Sequence, residues 1–106
     1  MGKSNSTKAQ PAEIFSLDMD FRNRLAVGES ISAAASVVKV YDEAGTDKSA
    51  THVLGNPVVT GTKLAQKIKW ATAQIGTKYK VSFLAKVGTG TYDNLYEEDV
   101  TVEIFD

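Results

Sequence analysis

Residues 77–87, TKYKVSFLAKV, contain the clearest structural pattern of the sequence. One series of alternate positions holds Tyr79, Val81, Phe83, Ala85 and Val87, and the positions between them hold Lys80, Ser82, Leu84 and Lys86. Because successive side chains of a β-strand point to opposite faces of the sheet, this alternation predicts a strand with one buried face. Gly76 lies just before it and is predicted to form the turn from which the strand starts.

The same two-residue period recurs in residues 15–21, 63–70 and 98–105. The β-branched residues within 37–40 favour a further strand, because branched side chains pack well on a pleated surface. No segment carries a long helical pattern. Short strands of this kind, each with one apolar and one polar face, predict an all-β fold in which about six to seven antiparallel strands pack as a β-sandwich.

Length and composition limit the classes of protein that fit. The chain has 106 residues, 42% of them hydrophobic, which suits one domain with a single core. A net charge of −1 argues against a nucleic-acid partner, and the lack of cysteine excludes disulfides and cysteine-ligated zinc. No apolar segment approaches the roughly 20 residues that span a bilayer, so no membrane partner is expected. The N-terminus also lacks the apolar part of a secretory signal.

Residues 1–12 are polar and show no pattern that could pack, so they are predicted to form a disordered N-terminal arm. Residues 13–106 are predicted to form the sandwich domain. Within that domain, polar residues 45–52 are expected to form a loop. Gly55–Pro57 is expected to bend and interrupt any strand there.

Asp18 and Asp20 stand one residue apart in the first predicted strand of the domain. Together with Glu29 they fit the first, third and last ligand places of a calcium-binding EF-hand loop. The fit fails at Arg22, a cation where an oxygen ligand is needed, and at Asn23, where the loop needs glycine. The pattern therefore favours two solvated carboxylates on an edge strand, where charge opposes pairing with another molecule.

The chain has one histidine, His52, which is predicted to lie on a surface loop. Its hydroxyl neighbours Ser49 and Thr51 do not make a catalytic triad, and without cysteine it cannot complete the usual zinc site. A basic stripe that aids solubility is expected on one outer sheet face, from Lys63, Lys67, Lys69, Lys78 and Lys80. We therefore predict a protein that is not an enzyme and has no catalytic residue, cofactor or metal site.

Four residues near the last predicted strand form a candidate binding loop: Tyr92, Asp93, Asn94 and Tyr96. They flank a turn, and tyrosine combined with short polar residues is the composition of adaptable binding loops. The alternative is that one tyrosine packs beneath the loop while the acidic side chains are solvated.

Several motifs occur in a recognisable order along residues 13–105. An alternating acidic strand with Asp18 and Asp20 is followed by the turn Leu25–Ile31 (LAVGESI), by Gly76–Val81 (GTKYKV), and by Glu97 or Glu98 before the final strand. This order resembles a family of small phage and prophage proteins with an immunoglobulin-like or fibronectin type III-like β-sandwich. The family often has a tryptophan where Ser36 aligns here, so we expect Val38 and Trp70 to fill the core instead.

The resemblance implies a non-catalytic structural or accessory protein of a virion tail or head that acts by protein–protein contact. It implies one or more protein partners, such as other virion proteins, and a location in the virion or the host cytoplasm. The oligomeric state is left open. One alternative is a cell-surface or carbohydrate-binding β-sandwich, with Tyr92 and Tyr96 as sugar-stacking side chains. Another is calcium-dependent adhesion through Asp18, Asp20 and Glu29.

Overall fold

The computed structural model describes residues 5–11, 13–70, 75–87 and 94–104. Within these ranges the chain forms seven strands and one short helix. They are β1 (Asn5–Ala9), β2 (Ile14–Asp20), β3 (Val37–Tyr41), α1 (Ser49–His52), β4 (Val53–Thr60), β5 (Lys63–Lys69), β6 (Lys78–Val87) and β7 (Asn94–Ile104). No helix in the described part of the chain is long and apolar enough to cross a membrane.

The strands form two sheets, one with the order β1-β7-β6-β3 and the other with the order β2-β5-β4. This confirms the predicted all-β sandwich. Strands β7-β6-β3 and β2-β5-β4 correspond to the G-F-C and B-E-D strands of immunoglobulin-like sandwiches. Every ladder between the described strands is antiparallel except the one between β1 and β7, which is parallel.

Strand β6 confirms the alternation from which the fold was predicted. Its buried side chains include Tyr79, Val81, Phe83, Ala85 and Val87. It is hydrogen-bonded on both sides, to β3 along Val37–Tyr41 and to β7 along its whole length. β6 therefore lies in the interior of its sheet, and the apolar face of the strand is covered by the core.

The inner faces of the two sheets meet in one hydrophobic core. Leu64 and Ile68 of β5 pack with Val40, Val81 and other side chains of the four-stranded sheet. Among the described residues, the three largest fully buried side chains are Trp70, Phe21 and Phe83. Burial of each large apolar side chain contributes about 1.5–3 kcal/mol, so this core can hold a chain that has no disulfide.

Ser36 occupies the position where the resembled family often has tryptophan. It is buried; its hydroxyl donates to the Ser32 carbonyl at 2.6 Å and accepts from the Lys86 amide at 3.0 Å. The serine therefore ties the start of β3 to the end of β6 by hydrogen bonds. As expected, Val38 and Trp70 are buried in the core, with Trp70 entering from the end of β5.

Strand β4 continues through the predicted interruption at Gly55–Pro57, with a shift of register between Leu54 and Val58. The amide of buried Gln66 on β5 donates to the Leu54 carbonyl at 2.9 Å and to the Gly55 carbonyl at 3.1 Å. The expected break is thus a bulge, at which the side chain of Gln66 on the neighbouring strand donates to two carbonyls of β4.

Strand β1 corrects the prediction of a disordered arm over residues 1–12. Asn5–Ala9 pair in parallel with residues 100–104 of β7, and Ala9 is buried. The polar composition of this segment hides the strand, because its order comes from the backbone groups on the open edge of β7. Residues 1–4 and 12 lie outside the described part of the chain.

Two valines of β3 test which face of this strand supports the core. Val40 is fully buried, whereas Val37 is 41% exposed. We expect Val40→Ala to lower the free energy of unfolding by about 2 kcal/mol through lost burial and the cavity left behind. Val37→Ala is expected to change it by about 0.5 kcal/mol or less. Urea unfolding of both variants measures this, and equal losses would contradict the assigned inner face.

Candidate functional site

Asn94 and Tyr96 of the predicted binding loop lie at the start of β7, and both contact Glu29. The Asn94 amide donates to Glu29 Oε2 at 2.9 Å, and the Tyr96 hydroxyl donates to Glu29 Oε1 at 3.3 Å. The other two predicted loop residues, Tyr92 and Asp93, lie outside the described residues. The structure therefore connects half of the predicted loop to a distant segment, the one between β2 and β3.

Glu29 closes a tight turn in that segment. Its amide donates to the Ala26 carbonyl at 3.0 Å, and its carboxylate accepts from the Ala26 amide at 2.7 Å. Gly28 has a φ of 86°, which a residue with a side chain rarely adopts. The hydrogen bond from the Ala26 amide, followed by those from Asn94 and Tyr96, holds the pKa of the Glu29 carboxyl below its usual value. The charged carboxylate is thus the form that fastens the turn to β7.

Arg24 fastens the same segment at a second point. Its guanidinium is paired with the Glu98 carboxylate and donates to the Glu97 carbonyl at 3.3 Å. It also lies over the Tyr96 ring, 5.0 Å from the ring centroid, within the range of a cation–π contact. Arg24, Glu29, Asn94, Tyr96 and Glu98 together are called the Glu29 cluster here.

The Glu29 cluster holds an apolar side chain out in solvent. Val27 belongs to the turn of residues 26–29. Its side chain is fully exposed, with a relative accessibility of 105%. Leu95, on the opposite face of β7 from Asn94 and Tyr96, is 59% exposed. The arrangement is suited to recognition, because a fixed turn presents an apolar group beside charged and aromatic ones.

The two aspartates of the first predicted strand have separate surroundings. Asp18 is exposed on β2, which is an edge strand, as the sequence predicted. Asp20 accepts from the Thr62 hydroxyl at 2.7 Å and from the Arg22 amide at 2.9 Å, and these bonds, the Thr62 bond first, lower its pKa. Among the described residues, no group of three or more acidic or histidine side chains could hold a metal ion.

His52 does not lie on the surface, and that prediction was wrong. It ends α1, is only 2% exposed, and stands next to two aromatic rings. Its ring centroid is 5.4 Å from that of Trp70 and 5.2 Å from that of Tyr79. Its Nδ1 lies 2.7 Å from the Lys69 carbonyl, and because a carbonyl only accepts, Nδ1 carries the hydrogen. The helix Ser49–His52 lies within the predicted loop of residues 45–52, and the buried side chain of His52 is at its end.

A cavity of about 430 Å³ opens beside His52. Its lining includes Asp42, Glu43, Lys48 and Lys78, so charges of both signs surround it. The Nδ1 atom of His52 is engaged by a backbone carbonyl and not by a carboxylate, so the histidine lacks the acidic partner of a triad. The mixed charges favour no particular ligand, and the Glu29 cluster remains the better candidate site.

The predicted basic stripe is not one surface. Lys63, Lys67 and Lys69 belong to β5 in the three-stranded sheet, whereas Lys78 and Lys80 belong to β6 in the four-stranded sheet. Lys80 lies 5.2 Å from the centroid of the Tyr41 ring, on the outer face of its own sheet. The sequence showed the phase of each strand correctly but could not show which sheet each strand joins.

The sequence did not indicate Arg24 or Glu98 as members of a site, and it indicated Glu29 as a possible calcium ligand and as part of the LAVGESI turn. Arg24 and Glu98 are 74 residues apart, and Glu29 and Asn94 are 65 apart. Both Arg24 and Glu29 lie in or beside the LAVGESI motif, which was the available signal. No family model matches the chain, and no curated protein matches it.

Asn94→Ala tests the electrostatics of the Glu29 cluster. Removing this donor is expected to raise the pKa of the Glu29 carboxyl towards its usual value, measured by NMR titration of the side-chain carboxyl carbon. Because the folded pKa is lowered, the stabilising effect is complete above the unfolded pKa and is lost as the pH falls through the folded pKa. The stability difference between variant and parent should therefore shrink in acid.

Leu95→Ala is the matched control, since Leu95 neighbours Asn94 but points to the other face of β7. It should leave the Glu29 titration unchanged. If the pKa of the Glu29 carboxyl is unchanged in Asn94→Ala, the hydrogen bond between Asn94 and Glu29 is contradicted.

Proposed function

We propose that this protein is a non-catalytic structural or accessory module of a phage or prophage virion that acts by protein–protein contact. The observation that carries the contact part is the turn of residues 26–29, which Glu29 fastens to β7 and which holds Val27 fully in solvent. The phage context is supported by the order of the sequence motifs. The location in a virion or in the host cytoplasm is part of the same proposal.

An apolar group held in one position loses little conformational entropy when it binds a protein partner. Association costs less when the binding segment is already ordered, because fewer backbone and side-chain states are lost. The two anchors of this turn, Glu29 and Arg24, hold it in place before any partner arrives. Burial of Val27 in a partner would then remove apolar surface from water while the surrounding charges select the orientation.

The non-catalytic part of the proposal is supported by the side chains around His52 and by those of the Glu29 cluster. The carboxylates of Glu29 and Glu98 are each occupied by donors from within the chain. These contacts fix the turn of residues 26–29 on β7, which is a structural role.

Mass spectrometry of particles purified from an induced culture of the source organism tests the proposed context. A structural component should co-purify in a fixed ratio to other virion proteins. An accessory assembly factor should be absent from finished particles but required for their formation. If the protein is absent from finished particles and the particles form normally without its gene, both forms of the proposal are contradicted.

Val27→Asp tests the proposed contact surface. The substitution places a charge where an apolar contact is expected, and it should weaken co-purification by roughly 30-fold or more, as loss of a hot spot of about 2 kcal/mol does. Val58→Asp is the control, because Val58 is also exposed. It lies on β4 in the three-stranded sheet, whereas the turn is fastened to β7 in the four-stranded sheet. Equal retention of the two variants would show that the turn does not carry the contact.

A carbohydrate-binding module is the second candidate, and one observation favours it. Tyr96 is half-buried beside the exposed amide of Asn94, and an aromatic ring next to a polar group is a common element of sugar sites. Titration with simple oligosaccharides, followed by tyrosine fluorescence, would detect binding. Saturable binding that Tyr96→Ala abolishes, together with normal particles lacking the protein, would favour this candidate over the first.

A further inference from the structure

Strand β1 lies at the edge of the four-stranded sheet. Among the described strands, its neighbour in that sheet is β7. Its sequence, NSTKA, is polar apart from Ala9, which is buried in the core. The attachments of the strand include its parallel ladder with β7 and the buried side chain of Ala9.

The connection between β1 and β2, residues 10–13, is called the hinge here. It contains Pro11, and Ala12 lies outside the described residues. Its β2 end is fixed, because the Trp70 amide donates to the Glu13 carbonyl at 2.9 Å. Two hydrogen bonds between Gln10 and Glu13 hold the fold-back, which is the reversal of the chain between β1 and β2. The Gln10 amide donates to the Glu13 carboxylate at 2.6 Å, and the Glu13 amide donates to the Gln10 carbonyl at 3.2 Å.

We propose that Asn5–Ala9 is an exchangeable strand, and that the β7 edge accepts the same strand from a second copy of this chain. The occupant is identified by the structure, since β1 itself fills this edge in register from Asn5 opposite Val100 to Ala9 opposite Ile104. An exchanged strand makes the same ladder and buries the same alanine as the chain's own strand. Only the hinge conformation differs, so protein concentration and the hinge decide between the two states.

The exchange links copies in one of two ways. Two chains that trade strands reciprocally close a symmetric dimer, whereas a strand passed on to the next copy gives an open chain. Either product protects the edge of β7, which would otherwise present unpaired backbone groups. The inference concerns the chain alone and holds whether or not the proposed virion role is correct.

Engineered cysteines can capture the exchanged state, because the chain has none of its own. Lys8 and Glu103 are register partners and both are exposed. Neighbouring strands lie about 4.8 Å apart, within the Cα separation of about 4.4–6.8 Å that a disulfide accepts. Lys8→Cys protein and Glu103→Cys protein are mixed at high concentration, oxidised gently and separated on a non-reducing gel. A mixed disulfide dimer is expected.

Two controls keep this test decisive. The double variant Lys8→Cys/Glu103→Cys, oxidised when dilute, should close within one chain and so show that the geometry permits the bond. The mixture of Lys8→Cys with Lys67→Cys, whose exposed cysteine lies on the other sheet, measures random collision. Exchange predicts several-fold more mixed dimer than this control. A yield equal to the control, with the double variant closing normally, would overturn the proposal.

The hinge supplies a second measurement. Glu13→Ala removes the carboxylate that accepts from the Gln10 amide and so weakens the fold-back. Placed in both single-cysteine proteins, it should raise the yield of mixed dimer several-fold. An unchanged yield would contradict the role assigned to the hinge.

Discussion

The structure depends on one constraint, which is that β6 must satisfy its backbone on both sides while one of its faces leaves water. An apolar face can be buried only if the strand's peptide groups find partners, because unpaired groups would cost more than the burial returns. β3 and β7 supply those partners, and the inner face then packs on Leu64 and Ile68 of β5. The two-sheet arrangement follows from this requirement.

Different kinds of contact join the two ends of β6 to neighbouring segments. At its first end, Tyr79 packs with His52 and Trp70, so aromatic burial joins α1 and the end of β5 to the four-stranded sheet. At its other end, Val87 pairs with Asn94, and there the Glu29 cluster joins the segment before β3 to β7 through charge and hydrogen bonds. The polar end is the one beside which Val27 is exposed, whereas the three aromatic rings at the other end are buried.

The strand edges of β2, β4 and β7 are each protected in a different way. β2 carries an exposed carboxylate at Asp18, and β4 is broken in register around Gly55–Pro57; both features oppose pairing with another molecule. The edge of β7 is instead covered by a strand from the chain's own N-terminal segment. The covering strand is joined to β2 by a short connection, and the exchange proposed above would connect edge protection to assembly.

The sequence by itself determined the strand phases and the all-β class, because a period of two is a local property that burial of one face enforces. It therefore indicated the inner faces of β5, β6 and β7 and the wet side chain of Asp18. Only the tertiary structure decided which sheet each strand joins, why His52 is buried, and that Glu29 meets Asn94. Those outcomes depend on contacts between residues far apart in the chain, and local periodicity carries no information about them. The strand at Asn5–Ala9 is the sharpest case, since its order comes from the backbone edge of β7 and not from its own side chains.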